Sequence, residues 1–176
     1  MSEYITKAFA LGFKIIREND RIYDLFTENF GRLSVVAPSS SKTLSRLAGH
    51  LVIGNLLKVK VVEKNTLTIV DALTLKSFLF NNNEKFLSET IITAYVLKSM
   101  SPIGVPDRYI WNFLLNFFRT QKADFRELLS LLGYNIKNST CSICKAKTVF
   151  AFNLYDQTFL CDNCSFNFPK GDLLYI

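Results

Sequence analysis

Histidine is almost absent from this chain, since His50 is the only one among 176 residues. The sequence also lacks a glycine-rich phosphate loop and any nucleophile motif of the kinds that hydrolases and transferases use. Carboxylates alone offer little support for acid–base or covalent catalysis. We therefore expect a protein that is not an enzyme, in which His50 is a hydrogen-bonded packing residue.

Long apolar runs are missing as well. The longest uncharged apolar block covers residues 109–118 and is too short to span a bilayer. Glu3, Lys7 and Lys14 interrupt the apolar residues near the N-terminus, so we recognise no signal peptide. We expect a cytoplasmic protein that does not associate with membranes and whose cysteines stay reduced.

Acidic residues are absent from the stretch 29–62, although it contains several Lys and Arg residues. The whole chain has a net charge of +6, and such a basic balance favours an anionic partner, nucleic acid first. Cations on one face of a small domain can follow the phosphates of a single strand, although most Lys and Arg residues are simply solvated. The candidates for phosphate contact are Arg17, Arg21, Arg32, Lys42, Arg46, Lys58 and Lys60.

All four cysteines lie within one segment, as two Cys-x-x-Cys pairs with a hairpin pattern between them. This spacing is typical of a closed four-thiolate zinc site, and a hairpin so small needs a metal to hold it together. Iron could use the same ligands, whereas disulfides or a redox dithiol fit the paired spacing less well. The predicted ligands of one structural Zn²⁺ are Cys141, Cys144, Cys161 and Cys164.

Residues 3–78 have the alternating pattern of short β-strands. In the clearest strand, Leu57, Val59 and Val61 alternate with Lys58 and Lys60. About five strands in about 75 residues predict a small barrel or sandwich, and five is the strand number of an OB-fold. Aromatic residues of this region either fill the barrel core or stack on bases; those weighed for stacking are Tyr23, Phe26 and Phe30.

Apolar residues repeat at helical spacing from about residue 81 onwards. Asn83 can cap a helix that ends near Met100, a second helix follows Pro106, and a third covers residues 123–132. On the first helix, the side chains expected to pack inward are Leu87, Ile91, Ala94 and Tyr95. The predicted fold class is α+β, with an OB-fold β-barrel domain at 1–78 and a small helical domain with an embedded zinc site at 79–176.

Two groups of residues resemble a known family. The first is DRIYDLFTENFGRLSVVA at 20–37 followed by SRLAGHL at 45–51, and the second runs from Phe125 to Tyr134 and leads into the cysteine pairs. In combination they are similar to the bacterial RecO recombination mediators, of which this chain resembles a short, divergent member. Two positions differ from the family pattern: 38–41 reads Pro-Ser-Ser-Ser in place of basic residues, and Lys145 stands where the family commonly has glycine.

The resemblance implies an N-terminal OB-fold, a helical second domain and an embedded zinc site. It also implies annealing of single-stranded DNA and assistance in loading recombinase onto strands coated with SSB. The implied partners are single-stranded DNA, a RecR-like protein and SSB. From the residues alone, an RNA-binding module built from a barrel and a zinc ribbon remains open, as does an electron carrier with iron at the four cysteines.

Overall fold

The computed structural model describes residues 2–42, 45–77 and 83–176. These residues form two compact units, 1–122 and 123–176, and together they confirm the α+β class. The boundary predicted after residue 78 lies outside the described residues. The boundary between the two compact units lies later in the chain, after Lys122. The first unit extends this far because two helices that follow the barrel strands pack on the barrel.

Five strands of the first unit form a closed barrel. In chain order the elements are β1 (Ser2–Ile15), β2 (Arg21–Thr27), β3 (Gly31–Ala37), the short helix α1 (Arg46–His50), β4 (Leu56–Glu63) and β5 (Leu67–Lys76). The order around the barrel is β1-β2-β3-β5-β4, and β4 pairs antiparallel with β1 to close it. The strands predicted for this region are confirmed.

The barrel interior follows from the alternation of side chains along each strand. On β4, Leu57, Val59 and Val61 point inward and are at most 1% exposed, while Lys58 and Lys60 point outward. Burial of such side chains contributes about 1.5–3 kcal/mol each, which makes the interior the main source of stability for this unit. The inner face is completed by residues that include Ala8, Leu25, Val35 and Ile69.

The three aromatic residues considered for base stacking differ in their exposure. Tyr23 fills the interior of the barrel and Phe26 is equally buried, so neither ring is accessible to a base. Phe30 is half-buried and lies edge-to-face against Tyr4, with ring centroids 5.1 Å apart. The core-filling alternative is therefore confirmed for Tyr23, whereas Phe26 is buried on the outer face of the barrel opposite Phe9.

Two helices, α2 (Glu84–Met100) and α3 (Arg108–Thr120), complete the first unit. Phe9 points outward from β1 and stacks on Phe118 of α3 with ring centroids 4.7 Å apart. It also contacts Trp111 at 5.2 Å. These aromatic contacts cover part of the outer barrel surface with apolar side chains and fix α3 against β1.

Helix α2 begins at the predicted cap, Asn83, but its buried face differs from the prediction. Leu87, Ile91 and Tyr95 were expected to pack inward, yet they are 45%, 52% and 51% exposed. The inward positions instead include Ala94, as predicted, and Thr90. Thr90 is buried without loss of a hydrogen bond because its hydroxyl donates to a carbonyl oxygen one turn earlier in the helix.

The second unit is a small sheet flanked by short helices. Its elements are α4 (Phe125–Leu131), a 3₁₀ turn at Ile136–Asn138, β6 (Ala151–Asn153), β7 (Thr158–Leu160), α5 (Asp162–Ser165), a 3₁₀ turn at Lys170–Asp172 and β8 (Leu173–Tyr175). The predicted hairpin is β6–β7, and β8 pairs with the other edge of β6, a third strand that the sequence analysis did not predict. None of the helices in the described ranges is both long and apolar enough to cross a membrane.

Gly31 allows two segments of the first unit to cross at close range. Its φ is 63°, and a Cβ atom at this position would lie 1.9 Å from the carbonyl oxygen of Val105. The neighbouring Arg32 accepts a hydrogen bond from the N–H of Gly104 at 2.8 Å. The segment between α2 and α3 can therefore contact β3 only if residue 31 has no side chain.

We expect Gly31→Ala to destabilise the protein by about 2 kcal/mol or more, because it adds both left-handed backbone strain and a steric clash. Gly49→Ala is the matched control. Gly49 lies in α1, and no atom lies within 4 Å of an added Cβ there, so alanine should be neutral or stabilising by up to about 1 kcal/mol. Urea unfolding measures both variants. Equal stabilities would contradict the close crossing.

Candidate metal centre and nucleic-acid interface

The four cysteine sulfurs converge in the second unit. The Sγ atoms of Cys141, Cys144, Cys161 and Cys164 all lie within 4.8 Å of one another, and those of Cys144 and Cys161 are 3.5 Å apart. Tetrahedral coordination with metal–sulfur distances of about 2.3 Å requires sulfur–sulfur distances of about 3.8 Å. The predicted ligands are therefore arranged as a four-thiolate metal site requires.

Backbone hydrogen bonds form the first cysteine turn and fix its place beside the sheet. The N–H of Cys141 donates to Ala146 at 2.9 Å, and the N–H of Lys145 donates back to the carbonyl oxygen of Cys141 at 3.0 Å. The N–H of Ser142 donates to Phe159 on β7 at 2.9 Å. The turn is thereby anchored next to the strand that leads into the second pair of cysteines.

The second cysteine pair is placed by α5. Cys161 directly precedes this helix, and its carbonyl oxygen accepts the N–H of Ser165 at 3.0 Å. Cys164 lies on the resulting helical turn, so both sulfurs face the first pair. A strand ending in a cysteine followed by one helical turn is thus sufficient to complete the site.

One apolar cluster of this unit is built around the cysteines themselves. Cys141 and Cys161 are buried and pack with Ala151, Leu160 and Leu173. So small an apolar cluster supplies little free energy of folding, whereas metal binding to a closed thiolate site supplies a large amount. We therefore expect the stability of the second unit to depend on a metal ion.

Hydrogen bonding sets the cysteine pKa values far apart. Burial raises the pKa of the Cys141 thiol, but backbone N–H groups, first that of Cys144, outweigh it and lower the pKa to about 6. The hydrogen bond with Cys161 and burial raise the pKa of Cys164 to about 12. Four thiolates would repel one another at this distance, and a thiophilic divalent ion is the group that this donor set fits.

Lys145 has the left-handed conformation for which the family pattern has glycine. Its φ is 62°, and a side chain in this region costs about 1–2 kcal/mol relative to glycine. The Lys145 ammonium donates to the carbonyl oxygen of Ser142 at 3.0 Å. This contact offsets part of the backbone strain, so the turn after the first cysteine pair keeps its shape without glycine.

The predicted phosphate-contact residues do not form one patch. Arg17, Arg21 and Lys42 lie at the barrel end where β1 turns into β2, and Arg46 lies on the exposed side of α1. Arg21 is held there by the fold, because its guanidinium donates to Ser41 at 2.9 Å and stacks over Phe13 at 4.3 Å. Arg17 lies 3.9 Å from a carboxylate oxygen of Asp20.

Arg32 forms a hydrogen bond with the last turn of α2. Its guanidinium donates to the carbonyl oxygen of Lys98 in the last turn of that helix. The Lys98 ammonium in turn lies 3.0 Å from the carboxylate of Asp24, a buried residue of β2. The fold uses Arg32 to fix α2 on the outer face of the barrel, a role that its place in an acid-free stretch did not indicate.

Lys58 and Lys60 project from the outer face of β4, as predicted, and the structure adds a third cation to them. Lys7 on β1 is the direct cross-strand neighbour of Lys58, so their side chains lie on the same face. Lys60 forms an ion pair with Glu3 at 2.9 Å. Sequence reasoning missed Lys7 because it lies outside the acid-free stretch and joins the other two only through strand pairing.

His50 has the packing role expected for it. Its Nδ1 atom accepts the backbone N–H of Thr74 at 3.2 Å and lies 2.9 Å from the hydroxyl of the same residue. The imidazole thereby links α1 to β5. It is not among the residues that converge on the four sulfurs.

The fold defines a class of two-unit proteins. The first unit is a closed five-stranded barrel, and the second has four cysteines that fit a metal ion. The family model described as "Recombination protein O N terminal" matches residues 1–78. The DNA repair protein RecO of Caldanaerobacter subterraneus subsp. tengcongensis is 25% identical over 177 aligned positions, covering 91% of this chain and 70% of that protein. The DNA repair protein RecO of Dehalococcoides mccartyi is 27% identical, with 92% and 70% covered. By these comparisons the chain is similar to the RecO proteins over most of its length, and its first 78 residues match the N-terminal model of that family.

We expect Cys161→Ser to abolish metal binding and to unfold the second unit, because three thiolates leave the site open and its apolar core is small. The first unit should stay folded, since the barrel has its own core. Elemental analysis measures the metal, and the fluorescence of Trp111 reports the first unit. Ser142→Ala, which keeps all four sulfurs, is the control. A parent protein that folds without metal would contradict the prediction.

Lys145→Gly should stabilise the second unit by about 1 kcal/mol, because glycine adopts a φ of 62° without strain. The matched control is Lys147→Gly, since Lys147 has no positive φ and glycine there should only increase the entropy of the unfolded chain. The melting temperatures of the two variants are compared at a fixed chelator concentration. A higher melting temperature for Lys147→Gly than for Lys145→Gly would contradict this expectation.

Proposed function

We propose that this chain acts as a DNA repair and recombination mediator of the RecO type. In this role it binds and anneals single-stranded DNA and helps recombinase to load onto strands coated with SSB, together with a RecR-like partner and without covalent chemistry. The observation that carries the proposal is the coincidence of the closed barrel with the family match, since both cover residues up to about 78.

The topology of the barrel supports its assignment as an OB-fold. Five strands close in the order β1-β2-β3-β5-β4, and α1 lies between β3 and β4. OB-folds are small Greek-key barrels that commonly bind oligonucleotides. A barrel of this kind suits binding to single strands with little sequence preference, because cations and exposed side chains track the backbone and not the base edges.

The outer face of β1, β4 and β5 supports backbone contact. Lys7, Lys58 and Lys60 project from it, and the exposed apolar residues Ile5 and Leu73 lie in the same cross-strand rows. Ammonium groups can neutralise phosphates, while the apolar side chains can contact sugars and bases. The face therefore offers both kinds of contact that a flexible single strand needs.

We infer that the metal ion is Zn²⁺ with a structural role. Four thiolates satisfy its preferred tetrahedral coordination and leave no open position for a substrate. When bound, the ion supplies the attraction that keeps the four sulfurs deprotonated and together. An iron-containing site with the same ligands would absorb visible light, so a colourless protein with one zinc per chain supports the inference.

Salt dependence tests the number of phosphates bound. Each neutralised phosphate of a single strand contributes about −0.7 to the slope of log K against log salt concentration. Three lysines on the barrel face, together with a contribution from the cations at the barrel end, predict a slope of about −2 to −3. Binding should thus be weak at physiological salt, and the affinity should rise when a RecR-like partner is added. No gain from the partner would contradict this part of the proposal.

Lys58→Glu should weaken binding to all single-stranded oligonucleotides alike and should make the salt slope about 0.7 shallower, because it removes a phosphate contact. Lys58 has no carboxylate within ion-pair distance in the described part of the chain, so the variant breaks no internal contact. Arg126→Glu in the second unit is the matched control. Fluorescence anisotropy of a labelled oligonucleotide compares them, with RNA as a further arm. Identical affinities would refute the assignment of this face.

A further inference from the structure

A polar cavity of about 460 Å³ lies where the turn between β2 and β3 meets the beginning of α3. It has no part in the metal centre and contains none of the cations predicted from the sequence. Its lining includes Glu28, Asn29, Arg108, Trp111 and Asn112. Most of these side chains are hydrogen-bond donors, so the cavity suits a ligand that is rich in acceptors.

Trp111 provides an independent indication of a missing ligand. Its side chain is only 3% exposed, and its Nε1 atom is buried without a hydrogen-bond partner in the residues that the structure describes. Buried indole N–H groups normally have a partner, because an unpaired buried donor is costly. The Nε1 atom is closed off from solvent, so an acceptor oxygen in the cavity, or a water molecule that it holds, satisfies this group only if neighbouring side chains shift on binding.

Arg108 is the group lining the cavity that could bind an anion, and Glu28 is the one carboxylate among the described lining residues. Arg108 is exposed and forms no ion pair in the described ranges, and the sequence of α3 contains no acidic residue. The carboxylate of Glu28 is partly neutralised by Lys7 at 3.5 Å. The attraction does not come from the end of the helix itself, because the side chain of Asp107 already accepts its first N–H groups.

The cavity is continuous with the cationic face of the barrel. Lys58 lies opposite Lys7 across the β1–β4 pair, and Lys7 contacts Glu28, which lines the cavity together with Arg108. Cations therefore follow one another from β4 over β1 to α3. A row of cations matches the repeated phosphates of a nucleic-acid strand. An isolated anion would need only one of these cations.

We propose that this cavity is a second contact site for single-stranded DNA, in which Arg108 and Asn112 bind a backbone phosphate at the end of the lysine track. The phosphate or its bound water supplies the acceptor that Trp111 lacks. Tyr109, which is 73% exposed on the same turn of α3, offers its ring to an adjacent base. The inference rests on the proposed function, since it assigns a further part of the path of the same ligand.

Trp111 is the only tryptophan of the chain, so its fluorescence reports this site directly. Unlabelled oligothymidylate should change the Trp111 emission over the same concentration range in which labelled oligothymidylate gains anisotropy. Arg108→Glu should weaken binding several-fold, make the salt slope about 0.7 shallower and abolish the emission change. Asn112→Asp, which is nearly isosteric and exposed, should weaken binding in the same direction.

The control variant and the possible negative results distinguish failure of this inference from failure of the proposed function. Arg126→Glu carries the same charge change in the other unit and should leave the emission change intact. If anisotropy shows binding while the Trp111 emission stays constant and Arg108→Glu behaves like Arg126→Glu, the cavity is not on the DNA path. An emission change with sodium phosphate but not with the oligonucleotide would identify a free-anion site and also overturn the inference. If the parent protein shows no anisotropy change even at low salt, the proposed function fails and the inference fails with it.

Discussion

The first unit depends on the pairing of β1 with two neighbours at once. β1 forms hydrogen bonds with β2 along one edge and with β4 along the other, and this double pairing closes the barrel. A shift in its register between Ala10 and Gly12 lets the long strand bend around the core. Inward residues of β1 complete the apolar interior, while outward residues hold α3 through Phe9 and carry Lys7. Core, helix packing and cationic face thus all depend on one strand.

The two units obtain their stability in different ways. The barrel buries a continuous apolar interior, so it needs no ligand to fold. The second unit includes two buried cysteines in one of its apolar clusters, and burial and hydrogen bonding leave the pKa values of Cys141 and Cys164 widely separated. A metal ion bound by the four converging sulfurs would add the free energy that this unit lacks. We therefore expect the chain to combine a unit that folds alone with one whose stability depends on a metal ion.

The cationic surfaces show how the fold distributes charge that is dispersed in the sequence. Arg32 supports α2 and Arg21 ties β2 to the loop that follows β3, so neither guanidinium is simply a solvated charge. Lys7, Lys58 and Arg108 come from three separate segments, and strand pairing and helix packing bring them towards one side of the barrel unit. The proposed binding surface for a long polyanion depends on this arrangement and not on any one basic run.

The sequence by itself determined the features that depend on local spacing. The Cys-x-x-Cys pairs predicted which four sulfurs converge, alternation at 57–61 predicted which residues of β4 are buried, and Asn83 predicted the start of α2. Only the tertiary structure decided the features that depend on partners distant in the chain. It turned Leu87 and Ile91 to solvent because α2 packs through a different face, which includes Phe86, Val96 and Leu97, and it added β8 to the hairpin. It also grouped Lys7 with Lys58, because cross-strand register is fixed by the closure of the whole barrel and not by either strand alone.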